Sequence, residues 1–136
     1  MNTWGLVGAV RRRIDEERGT LRKQASLRVA LCYPSPYSVG MSSLGFQTIY
    51  REINLHPGAA AERAFLPDEV EAYRESRCPV FSYESETPLG DFPVLAFSIS
   101  YELELPGLFE ILDLCGIPLL REERTDRHPL IVVGGP

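Results

Sequence analysis

Apolar positions along this chain alternate between two rhythms. Leu6, Val7, Val10 and Ile14 recur at helical spacing within a charged stretch that closes at Gly19, which predicts an amphipathic helix and linker over residues 1–27. Arg28 to Tyr33 is a short β-rich run stopped by Pro34, Ser35 and Pro36, because proline offers no N–H to a strand ladder. From Met41 to Asn54 the period turns helical, with Leu44, Thr48, Ile49 and Ile53 sharing the inner face, until Pro57 and Gly58 stop it. Ala61 to Leu66 is a weaker strand candidate, followed by a helix that Pro67 and Asp68 open and that turns Val70 and Tyr73 inward. Val80 to Tyr83 reads as an extended edge segment and Thr87 to Pro93 as a loop. Val94 to Ser100 is nearly continuous apolar sequence, as in a strand covered on both faces. A helix follows from Glu102 to Cys115, with Pro106 in its first turns and Gly116 at its C-cap. After a charged connector from Arg121 to His128, Leu130 to Val133 predicts another buried strand that runs into Gly134, Gly135 and Pro136.

Strand alternating with helix, with apolar strands and short loops, predicts an α/β fold of the doubly wound, flavodoxin-like (Rossmann-like) class, built on a parallel sheet. The first strand is expected at the centre, flanked by the second and third, with the fourth beyond the third. The α/β domain spans 28–136 and is expected to be truncated after strand four, where a covering helix would normally follow. An open edge on that strand invites self-association or a covering N-terminal segment. In such sheets ligands sit at the carboxyl ends of the strands, which directs attention to three loops: Pro34 to Gly40, Ser98 to Glu102, and Gly134 onward.

Composition narrows the function. The 136 residues fit one domain with its own core. Lys and Arg number 14 against 19 Asp and Glu, and the net charge of −5 argues against gripping a nucleic-acid backbone. The longest apolar runs are strand-length, so no membrane span is expected and a cytoplasmic location is. Cys32, Cys78 and Cys115 show no short-spaced pair, which suits structural thiols in a reducing compartment. His56 and His128 each precede a proline, as surface loop residues do.

Three stretches carry a family resemblance: RVALCYPSPYSVGMSSLGFQTIY at 28–50, FPVLAFSISYELELPGLFEILDLCGIPL at 92–119 and HPLIVVGGP at 128–136. Through them the chain resembles the N-terminal cobalamin-binding-like domain of a group of radical S-adenosylmethionine proteins, in which that domain precedes the radical domain. Cobalamin domains of this fold carry Asp-x-His-x-x-Gly after the first strand, a Ser-x-Leu-like motif after the third and Gly-Gly after the fourth. Their histidine ligates cobalt from below, while the serine and glycines let the nucleotide tail approach backbone. Setting the motif's glycine on Gly40 puts Ser35 at the aspartate position and Tyr37 at the histidine position. The second motif survives as Ser98-Ile99-Ser100 and the third as Gly134-Gly135. The resemblance therefore implies a groove for a cobalamin tail, with any cobalamin bound histidine-off, or no cofactor in this fragment at all. The Cys-x-x-x-Cys-x-x-Cys signature of a 4Fe-4S iron-sulfur cluster is not formed by the three cysteines. Cluster and S-adenosylmethionine are expected only in the downstream radical domain, the implied partner, and the fragment is not expected to be catalytic alone.

The competing reading is a structural or docking module that lost cobalamin binding. A receiver-like signalling domain would need an acidic cluster where Cys32-Tyr33-Pro34 stand. Glu102 and Glu104 read as first-turn acids that complement a helix dipole. Tyr83 and Glu84 read as turn residues, the tyrosine half buried. Ser42 or Ser43 reads as a helix cap, although free N–H groups there could also take an anion.

Overall fold

The computed structural model describes residues 2–135. Pro136, which closes the stretch HPLIVVGGP, lies outside them. Helix α1 (Thr3–Glu16) is capped by Asn2, whose side-chain oxygen accepts the Gly5 N–H at 3.0 Å, and it buries Leu6 and Val10. A linker leads to β1 (Leu27–Tyr33), and the chain then makes a single turn, α2 (Tyr37–Gly40), before helix α3 (Leu44–Leu55). Strand β2 (Ala59–Phe65), the short helix α4 (Val70–Glu75), strand β3 (Val94–Ser98), helix α5 (Leu105–Leu114) and strand β4 (Leu130–Gly134) complete the order.

The four strands form one all-parallel sheet in the order β2-β1-β3-β4, with Val29 opposite both Ala61 and Val94, and Val94 opposite Leu130. This is the expected flavodoxin-like arrangement, with β1 central. Leu31 and Tyr33 of β1 point to one face, where Leu6 and Val10 of α1, Phe46 and Tyr50 of α3 and Tyr73 of α4 join them. Ala30 and Cys32 point to the other, against Leu108, Ile111 and Leu112 of α5. Gly116, at φ 67°, ends α5 in the left-handed conformation that glycine adopts without a Cβ penalty.

Three expectations need correction. The inner face of α3 is not the stripe of Leu44, Thr48, Ile49 and Ile53: Leu44 is 79 % exposed, and Thr48 and Ile49 also point outward. Phe46 and Tyr50, one turn apart, are buried instead, with Ile53 half buried on the same side. Two aromatic rings bury more area than the aliphatic stripe, and Ser43 caps the helix by accepting the Phe46 N–H at 3.2 Å. Residues 80–83 do not form a strand. Phe81 makes an isolated antiparallel bridge to Pro88 of the following loop, and the segment meets the sheet through the Tyr83 N–H, which donates to the Arg63 carbonyl at 2.8 Å. That contact screens the outer edge of β2, every residue of which is buried.

Strand β4 is not buried. Leu130, Val132 and Val133 are 64, 45 and 53 % exposed, because among the described residues β4 pairs on one side only and none of its five residues is fully covered. The N-terminal segment does not cover this edge, since α1 packs toward the β2 side with Tyr73 and Phe81.

Candidate functional site

With strand order β2-β1-β3-β4, the switch in direction falls between β1 and β3, so the crevice for a ligand should open where these two strands end. Four side chains meet there. Glu104, only 3 % exposed, accepts the Ser100 N–H at 2.7 Å on one oxygen and the Ser35 hydroxyl at 3.3 Å on the other. Ser100 in turn shares a 3.0 Å hydrogen bond with the Tyr33 hydroxyl at the end of β1. The carboxylate of Glu104 thus takes up the donors that these loops would offer an anionic ligand. The start of α5 narrows the crevice further: a Cβ on Gly107 would lie 2.1 Å from the Pro34 carbonyl oxygen, so only glycine permits this approach.

Tyr37 and Gly40 lie elsewhere, on the face shared with α1. The Tyr37 ring stacks on Tyr83 with centroids 5.3 Å apart, meets Phe65 edge-on at 5.2 Å and lies under the Arg13 guanidinium. Its hydroxyl donates to Glu17, and burial followed by that carboxylate pushes the phenol well above its usual range. A residue so enclosed does not fit as a lower ligand for cobalt. Gly40 answers to packing, since a Cβ there would come 2.5 Å from the Phe65 ring.

The remaining sequence candidates line an open groove of about 540 Å³ at the ends of β3 and β4, where Ser100, Gly134 and Gly135 meet Ile99, Tyr101 and Leu105. Ser98 pairs with Gly134 in the ladder, and the Ile99 N–H continues it to the Gly134 carbonyl at 2.9 Å. Gly135, at φ 152°, passes so near Ile99 that a Cβ would lie 1.8 Å from its carbonyl oxygen. Ser35 and Ser100 are therefore brought together through Glu104, Ser98 joins the two glycines along β3 and β4, and Tyr37 and Gly40 stand apart.

A second polar centre lies beneath the linker. Arg63 of β2, 2 % exposed, places two of its nitrogens on Glu17 at 2.8 Å each and its Nε on Glu84 at 2.7 Å. Glu84 also accepts the Arg63 N–H at 2.8 Å and the Tyr50 hydroxyl at 2.6 Å, while the guanidinium rests over the Tyr50 ring. Burial raises Glu84 above the ordinary carboxylate range despite Arg63. At Glu17 burial acts the same way, but hydrogen bonds from Arg63, Thr20 and Tyr37 overcome it and hold the group below that range. In the sequence Glu84 reads as a turn residue, and no motif singles out Arg63. The available signal was the charged pair Glu62-Arg63 within an alanine-rich strand, where burial demands a partner.

Cys32, Cys78 and Cys115 are free thiols, and burial pushes Cys115 up to about 12. Among the described residues no group of three or more His, Cys, Asp or Glu is placed to hold a metal ion, and no helix is long and apolar enough to cross a membrane.

The all-parallel sheet with helices on both faces defines an α/β domain of flavodoxin-like architecture. A family model described as radical SAM proteins, N-terminal, matches residues 45–136, more than half of the chain, and the chain belongs to that family. Comparisons with curated proteins and with solved structures found no match.

Proposed function

We propose that this chain is an accessory N-terminal domain that docks, through strand β4, against the radical domain of the same protein and works without cobalamin of its own. The observation that supports this reading is β4 itself: an apolar strand that, among the described residues, is paired on one side only and leaves three large aliphatic side chains open to water. Exposed apolar edges are a liability that a docked partner removes. Membership of a family of N-terminal domains is consistent with a partner further along the same chain. Glu104 speaks against a cofactor in the switch-point crevice, because a ligand would have to displace a buried carboxylate from two loops.

Deuterium exchange tests the docking. In the full-length protein the amides of residues 131–133 should exchange more slowly than in residues 1–136 alone, and equal exchange in the two would overturn the reading. The groove lined by Ser100, Gly134 and Gly135 supports a second reading, a tail site for histidine-off cobalamin. Titration with hydroxocobalamin separates them: the docking reading expects an unchanged visible spectrum, and a saturable change that Gly134→Leu abolishes favours the tail site.

A further inference from the structure

A cavity of about 540 Å³ lies between the linker after α1 and helix α3, at the β2 side of the sheet and away from β4. Its size falls within the range of small-molecule sites. Leu21, Met41, Phe46 and Leu55 supply apolar wall, and the Tyr50 and Arg63 centre closes one end. Five cations line it, Arg18, Arg22, Lys23, Arg51 and Arg63, against the single carboxylate of Glu17, in a protein whose net charge is −5.

Of these five, only Arg63 has carboxylate partners among the described residues, Glu17 and Glu84. Arg22 and Lys23 donate to main-chain carbonyls of Glu84, Asn54 and His56, which orient the cations without cancelling their charge. The side chains of Arg18 and Arg51 have no hydrogen-bond or ion-pair partner among the described residues. Four positive charges without an ion-pair partner among the described residues surround an apolar wall, and such a cleft concentrates anions.

We infer that this cavity binds a nucleoside polyphosphate. One carboxylate would leave most of the cations unanswered, whereas a polyphosphate answers several from one molecule with charge-assisted hydrogen bonds. A purely inorganic polyanion would leave the apolar wall facing water, whereas a base and sugar cover it. The site is independent of docking through β4, so either proposal can fail alone.

Calorimetric titration of the full chain with ATP, tripolyphosphate and adenosine tests it. ATP should bind saturably, and tripolyphosphate and adenosine should each bind at least about tenfold more weakly, since each lacks half of the recognition. Arg18→Glu and Arg51→Glu should each weaken ATP about tenfold or more, as expected for a lost hydrogen bond to a charged group. Leu55→Asp should weaken it without removing any cation, and the distant Arg121→Glu should leave it unchanged. These exposed positions spare the fold, which the circular dichroism spectrum verifies. No saturable ATP binding, tripolyphosphate as tight as ATP, or an equal loss in Arg121→Glu would overturn the proposal.

Discussion

Replacing Arg63 by Met tests whether the N-terminal segment belongs to the folded unit. The substitution keeps a long apolar stem in β2 but removes the only guanidinium that touches both Glu17 and Glu84, whose side chains are 8 and 3 % exposed. Burying carboxylates without a partner costs about 3–5 kcal/mol, far more than the net worth of the intact pair. For a domain of this size that corresponds to a fall in Tm of roughly 10–20 °C, measured by circular dichroism during heating. Adding Glu17→Gln and Glu84→Gln to Arg63→Met should recover at least half of the loss, because neutral amides stay buried at lower cost and still hydrogen-bond. A single variant within about 1 kcal/mol of the native protein, or a triple variant no more stable than the single, would refute the account of Arg63 as the buried counter-charge.

Glu17 and Glu62 are both held below the ordinary carboxylate value of 4.5, so their contribution is fully present above that pH and is lost as pH falls through their folded values. Glu84, shifted upward, acts with the opposite sign; the Tm should therefore decline below about pH 4.5, and Glu17→Gln should make that decline shallower. Gly107→Ala should cost about 1–3 kcal/mol in denaturant unfolding, because its Cβ would meet the Pro34 carbonyl at 2.1 Å and force α5 away from β1; no loss would refute that contact. Tyr37→Phe removes one donor to Glu17 and should cost about 1 kcal/mol of stability while leaving the hydroxocobalamin spectrum unchanged; an altered spectrum would count against the packing role assigned to Tyr37.

Local pattern determined the order of elements. Pro34 and Pro36 had to end β1, Gly116 had to close α5, and the apolar runs at 28–33 and 94–100 had to form strands, because these outcomes depend on backbone sterics and on residues a few positions apart. The matched stretches were legible for the same reason, and they identified an N-terminal domain of a radical SAM protein without needing any contact. Tertiary structure alone decided which side of α3 faces inward, since Phe46 is chosen by Tyr33 and Phe65 lying opposite it and not by the helix's own spacing. It also decided the fate of the charged residues. Glu104 reads as a first-turn acid until the loops carrying Ser35 and Ser100 converge on it, and Arg63 reads as a misplaced cation until Glu17 and Glu84 arrive from sequence positions 46 and 21 residues away. Burial of an ion depends on what surrounds it in space, and no periodicity along the chain carries that information. Leu130 to Val133 shows the converse: the run is as apolar as a buried strand, yet the sheet leaves it open, because cover is supplied by neighbours and not by the strand.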